Sequence, residues 1–492
     1  MGMIAKATAA FLAVALTAAP ALAQKKYDQG ASDTEIKLGQ TMPYSGPLSG
    51  FITLAKAEIA YFQMVNDQGG VNGRKITVIS LDDGFSPPKT VEQTRKLVEE
   101  DHVLAISGSL GTPTNAAVQK YLNGKKVPQL FLASGASRWN DPKNFPYTMT
   151  LTPIYTAEAA IYAAYVLKEV KEPRVAILSQ NDDFGRDFIK GFKDRLGAKA
   201  SIIAREVTYE VTDATVDSQI IDLVSTKANV FLNISTPKFA VQAIRKAHEL
   251  GWKPLQFIDN PAASIGIVMR PAGIEASKGI ISAAFVKDPT DPQYKDDPEF
   301  QAWVAWMKKY FPSGSLEDPQ NVVGYVQAQA MVQVLKQCGD TLTRENVMRQ
   351  AANLREFHPA MLLKGINMNT SPTDYQPMEE MLLQRFTGER FEVFGELLTG
   401  LDPGVRDHDH ELFAAEPPDE GRLMNLGAQA GSDQLQCFVA FRVAVLIVDA
   451  LEVIDVDDEH GMDSPARAFD ERRQARQHRA AIRYASELIR HS

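Results

Sequence analysis

Apolar and polar positions alternate in short runs along most of the chain, and the period of each run predicts its element. Residues 35–41 (EIKLGQT) read as a strand, and Ala55, Ile59 and Phe62 at i, i+4 and i+7 then give an apolar helical stripe that stops at Gly69 and Gly70. Strands are predicted again at 75–81 (KITVISL), 103–107 (VLAIS) and 129–133 (QLFLA), with helical segments between them. The βαβα order implies a mainly parallel sheet with helices on both faces, and the right-handed crossover rule makes it doubly wound. After Thr156 the pattern starts again, with strands at 174–179, 201–207, 229–234, 254–259 and 279–285 and a helix from Lys238 that carries Ala240, Ile244 and Ala247 on one face. The expected fold class is therefore α/β, with two such lobes. A long helical stretch, 298–353, precedes two short strands at 381–386 and 390–394 joined by Thr387, Gly388 and Glu389. A chain that moves between lobes in this order binds its ligand in the interlobe crevice, beyond the carboxyl ends of the strands.

Composition agrees with that plan and sets the tail apart. The chain has 492 residues, 45% of them hydrophobic and 23% charged, with a net charge of −9. It is too long for one ordinary core, and it is too acidic overall for tracking a phosphate backbone, so nucleic acid is not an expected partner. From Leu398 onward there are 10 Arg, no Lys and 18 acidic residues, which leaves 42 basic against 43 acidic before it. His408, His410, His460, His478 and His491 also fall there, so 398–492 reads as a separate C-terminal extension. Cys338 stands alone in the body and Cys437 in the tail, so the body has no disulfide of its own.

The first 23 residues have the three-part layout of an export signal: Lys6, an apolar run over 7–19, then Pro20 and the small-residue site Ala21, Leu22, Ala23 before Gln24. The run is too short for an ordinary bilayer span, and no cysteine follows the cleavage site to accept lipid. The expected mature protein begins at Gln24 and is exported and soluble.

The loops after the predicted strands carry a family's pattern. MPYSGPLSG (42–50), YFQMVNDQGGVNGRKI (61–76), DDGFSPPKTVEQTRKLVEED (82–101), SGSLGTPTNAAV (107–118) and SQNDDFGRDF (179–188) occur in one order over 35–397. Together they closely resemble the type I periplasmic solute-binding proteins of the branched-chain amino-acid ABC transporter family, the leucine/isoleucine/valine-binding group. The resemblance implies two lobes joined by three crossover strands: lobe 1 over 33–150 and 286–364, lobe 2 over 151–285 and 365–397. It also implies a monomeric periplasmic protein that hands a small-molecule carboxylate to ABC transporter permease subunits in the inner membrane, with no enzyme activity, cofactor or metal.

Site residues follow from strand ends and from the resemblance. Ser109, Leu110 and Thr112 lead into a helix near Pro113, where free amides and hydroxyls suit a carboxylate, although Thr112 followed by proline is also a common plain helix cap. The resemblance places the carboxylate there, adds Tyr44 and Ser45 from the first loop, and assigns Ser134, Gly135 and Ser137 as further contacts, with Trp139 close behind. In lobe 2, Phe184 stands where the family often has tyrosine, which removes a hydroxyl and keeps an aromatic wall. Ser235 and Thr236 open the next helix. After strand 254–259 the amino-acid binders present a glutamate to the ligand's α-ammonium, where this chain reads Asp259, Asn260, Pro261. Either Asp259 or Asn260 takes that place. With Asn260 there, the expectation is a ligand carrying a carboxylate and no amine, because a buried unpaired ammonium costs several kcal/mol.

Catalytic signatures are missing from the sequence: it contains no G-x-S-x-G, GxxxxGK[ST], HExxH or paired CxxC. Asp407, His408, Asp409, His410 and Glu411, and Asp455, Asp457, Asp458, Glu459 and His460, lack a recognised ligand spacing and read as solvated acidic loops. The apolar run 437–454 contains Arg442 and Asp449, which argues against a membrane span. A sensor domain would need an attached span, and a transcriptional regulator of this architecture a helix-turn-helix where the export signal stands. The ligand is expected to be branched-chain amino acid-like, with an aromatic or other organic acid as the alternative.

Overall fold

The computed structural model describes residues 25–400. The export signal at 1–23, both acidic clusters and the run 437–454 lie outside the described residues. In chain order the strands are β1 Lys26–Tyr27, β2 Glu35–Met42, β3 Lys75–Asp82, β4 Ala105–Ser107, β5 Gln129–Leu132, β6 Thr148–Thr150, β7 Val175–Gln180, β8 Ile203–Tyr209, β9 Val230–Ile234, β10 Leu255–Ile258, β11 Ile281–Ala284, β12 Thr341–Leu342, β13 Glu380–Phe386 and β14 Phe391–Thr399. The first lobe is a five-stranded sheet in the order β3-β2-β4-β5-β6, parallel throughout. The second is seven-stranded, β14-β13-β11-β10-β9-β7-β8, with β13 and β14 antiparallel at one edge. The central strands β7 (VAILSQ) and β9 (VFLNI) are buried at every residue, as parallel strands covered on both faces must be.

The chain passes between the lobes three times: after β6, after β11 and before β13. Two of the connecting segments pair with each other, the Leu363 amide donating to the Phe285 carbonyl at 2.9 Å and the Lys287 amide to the Met361 carbonyl at 2.9 Å. The expected continuous helical stretch at 298–353 is three helices, Pro298–Tyr310, Pro319–Cys338 and Arg344–Ala351. Pro312 and Gly314 break the first gap, and Gly339 at φ +57° ends the second helix. The middle helix packs on Ile52–Asp67 in the first lobe. β6, β1 and β12 carry too few residues for their period to show in sequence. β8 starts and ends two residues later than 201–207 predicts, because 197–202 forms a tight helical turn. β14 runs five residues past the strand expected at 390–394, and two past the expected end of the second lobe at Leu397, with Leu398 opposite Met381 and Thr399 opposite Glu380. Cys338 is a buried free thiol, so no disulfide staples the described residues.

Candidate functional site

A cavity of about 810 Å³, counting its part open to solvent, lies between the lobes at the carboxyl ends of their central strands. On the first-lobe side, β4 ends in a loop whose Gly111 has φ +104°, and a Cβ there would lie 2.5 Å from both the Phe85 ring and Thr114 Oγ1. Only glycine fits both demands. The turn delivers Thr112 to the start of helix Thr112–Gly124, where first-turn amides have no partner within the helix. Thr112 Oγ1 lies 2.8 Å from Ser134 Oγ at the end of β5, and Trp139 Nε1 donates to that same Ser134 oxygen at 2.9 Å. The Tyr155 hydroxyl lies near Ser134 and Thr112, and burial holds its phenol above the usual range, so it keeps its proton. Leu48, Phe51, Leu54, Phe85 and Val323 make the apolar wall beside this polar corner.

The second-lobe side is acidic. Asp182 caps helix Asp183–Leu196 by accepting the Phe184 amide at 3.0 Å and the Gly185 amide at 3.3 Å, and it accepts Gln180 Nε2 at 2.6 Å. Phe184 stands edge-on to Tyr155, with ring centroids 5.0 Å apart. Asp259 is fully buried after β10, where its carboxyl accepts the Ser235 amide at 2.9 Å and the Ala262 amide at 3.2 Å. Burial pushes its pKa up to about 7 against those amides. Glu158, in the first turn of helix Tyr155–Glu169, is 3% exposed. Its Oε1 accepts from the Tyr162 hydroxyl at 2.5 Å and from the Asn260 amide at 2.7 Å, and burial pushes its pKa up to about 8.

Of the residues expected from sequence, Leu110, Thr112, Ser134, Phe184, Thr236 and Asn260 line the cavity. The other six stand elsewhere. The Tyr44 hydroxyl lies 2.6 Å from Ser80 Oγ, and Ser45 bonds Asp82 through its hydroxyl at 2.7 Å. Ser109 Oγ turns behind the loop and accepts the Thr41 amide at 3.0 Å. The Gly135 carbonyl accepts the Tyr155 amide at 2.7 Å. Ser137 gives both its amide, at 2.6 Å, and its hydroxyl, at 3.0 Å, to Asp187 of the other lobe. Ser235 contributes its amide to Asp259. The Asn260 carboxamide donates to the Ala283 carbonyl at 2.7 Å, so its NH2 group is already engaged by β11. Tyr155, Glu158 and Asp182 line the cavity and were not expected there. The available signal was Glu158 itself, a carboxylate on the stripe Tyr155, Glu158, Tyr162 of a helix that is largely apolar up to its last two residues.

Against known proteins, the profile of the periplasmic binding protein family matches residues 35–390. The chain belongs to the periplasmic binding protein family. This binding protein is 24% identical over 317 residues to Leu/Ile/Val-binding protein homolog 7 of Brucella abortus (strain 2308), a match covering 62% of this chain and 77% of that relative. Its fold matches a branched chain amino acid ABC transporter protein from Thermus thermophilus with bound valine at a TM-score of 0.67 and 17% identity, over 75% of this chain and 97% of that one. A fatty acid ABC transporter substrate-binding protein from Thermomonospora curvata matches at a TM-score of 0.64 and 20% identity, over 76% and 95%. The family comprises type I periplasmic binding proteins homologous to branched-chain amino-acid ABC transporter components, which take up small ligands and work with ABC permeases. This binding protein is accordingly not an enzyme. No helix among the described residues is long and apolar enough to cross a membrane.

Proposed function

We propose that the chain is the extracytoplasmic solute-binding component of an ABC importer, which captures a small carboxylate of the branched-chain amino-acid kind and delivers it to its permease as a monomer. The observation that carries this reading is the polar corner of Thr112, Ser134 and Tyr155 at a helix N-terminus, set against an apolar wall. Donors and a helix dipole stabilise a carboxylate there without a counter-cation, and the wall takes the solute's apolar body. Leu110 and Phe184 flank that body, while Thr236 and Asn260 face it from the second lobe. The names of the Brucella and Thermus proteins support the same solute class. Residues 1–23 direct export and are removed before Gln24, and the lobes divide at 33–150 with 286–364 and 151–285 with 365–397.

A second reading, an aromatic or other organic acid, has its own support in the cavity's aromatic lining of Phe51, Phe85 and Phe184 and in the Thermomonospora protein's name. Thermal-shift screening of the mature protein against amino acids, aromatic acids and short fatty acids tests both. A solute that binds only the folded state raises Tm, by about 2.7 kcal/mol of stabilisation at a hundred times Kd. A screen in which no carboxylate raises Tm overturns the proposal.

A further inference from the structure

We propose that Asp187 latches the two lobes together through Ser137, so that closure is held by the protein's own hydrogen bonds and not by solute alone. Ser137 follows β5 among the residues expected to touch solute, yet it does not line the cavity. Its donors go to the other lobe. The amide reaches Asp187 Oδ2 at 2.6 Å and the hydroxyl reaches Oδ1 at 3.0 Å, so one residue engages both carboxylate oxygens. Among the described residues Asp187 accepts no other hydrogen bond. Bonds to an ionised acceptor are about twice as strong as neutral ones. Neither Ser137 nor Asp187 borders the cavity, so solute is no part of this contact.

Both partners stand on rigid supports. Ser137 opens the single helical turn Ser137–Trp139, which the fully buried Trp139 fixes to the first lobe by donating Nε1 to Ser134 at 2.9 Å. Asp187 lies in helix Asp183–Leu196, beside Phe188, which is fully buried in the core. Closing therefore aligns the pair without ordering a loop. The same helix carries Asp183 four residues earlier, and like charges so spaced weaken their own helix. Contacts across the lobes offset that repulsion. Arg138 holds Gln119 Oε1 of its own lobe through Nε at 3.2 Å and gives Nη1 to Asp183 at 2.8 Å. The opposite rim has no equal: Arg270 meets Glu317 at 3.2 Å as an exposed pair, and Gln320 Nε2 reaches the Pro261 carbonyl at 3.4 Å. A contact made equally with and without solute slows entry and release together and changes affinity little, because only a difference between the two states shifts an equilibrium. Asp187 is thus a positioning residue for closure. The inference holds whichever solute the cleft takes.

The test is a pulsed electron–electron distance measurement on the full mature protein, freed of solute by dialysis from denaturant. Spin labels go on Ala117→Cys and Lys190→Cys, exposed positions on helices Thr112–Gly124 and Asp183–Leu196. Cys437→Ser removes the tail's thiol, and burial pushes the Cys338 thiol up to about 12, which keeps it unreactive. With Asp187 present, one narrow distance distribution is expected. Asp187→Asn, which keeps the shape and loses the charge and one acceptor, should broaden it and extend it by more than about 2 Å. A broad distribution with Asp187 intact, or the same narrow one in Asp187→Asn, overturns the inference. Should that variant fail to fold, Ser137→Ala decides: removing the hydroxyl should broaden the distribution in part, and no change overturns the latch. No solute is added, so each outcome leaves the carboxylate reading of the cleft standing.

Discussion

The two walls of the cleft treat charge in opposite ways. The first lobe presents neutral donors, namely the Thr112 and Ser134 hydroxyls and a helix start, with no ionisable side chain of its own lining the cavity. The second lobe presents the buried Glu158 and Asp259 and the half-buried Asp182, whose pKa values burial raises. One wall thus offers neutral donors and the other carboxyl groups.

The most severe way to break the comparison is at the first wall's turn. Gly111→Val places a β-branched residue at φ +104° with its Cβ 2.5 Å from Phe85 and Thr114. Strain of this kind costs about 1–3 kcal/mol before the clash is counted, so a clear fall in Tm and at least hundredfold weaker binding by calorimetry are expected. Next comes the second wall's ring. Phe184 is 5% exposed and stands between Tyr155 and Phe188, so Phe184→Ala should cost about 3 kcal/mol in denaturant unfolding. Phe184→Tyr restores the ring and should lie near wild type.

A milder test uses pH. Glu158 is raised to about 8, Asp259 to about 7, and Glu58, buried behind the first wall's loop, to about 7, each above its unfolded value. Between those unfolded and folded values the native state holds more protons than the unfolded chain, so the stability they contribute is present in full at low pH and lost as pH rises through the folded pKa values. Tm should therefore fall between about pH 5 and pH 8.5. Replacing Glu158 or Glu58 with Gln should flatten the slope, and the larger flattening should come from the second lobe. A Tm that rises over this range would refute the assignment. The smallest effect is expected from the link across the lobes, Arg138 to Asp183 at 2.8 Å, both partly exposed. Arg138→Ala should change affinity by less than about fivefold, since surface pairs contribute at most about 1 kcal/mol.

Much of this protein was legible in its sequence because the signals are local. Hydrophobic period two against 3.6 reveals strand and helix, and the quoted loop motifs 42–50 to 179–188 carry the family. Loops after strands marked Leu110, Thr112, Ser134, Phe184, Thr236 and Asn260, all of which border the cavity. The same rule also picked out Ser109 and Ser137, whose hydroxyls point to Thr41 and Asp187, because position after a strand does not fix the direction of a side chain. Only tertiary structure decided the acidic wall. Glu158 is brought beside Asn260 across 102 residues of chain by the packing of its helix on β10 and β11, and an amide that the chain itself supplies there occupies one carboxylate oxygen and leaves the other to the cavity. Sequence determined which elements form, since that depends on neighbours along the chain; which polar atoms remain unpaired depends on neighbours in space, and only the fold sets those.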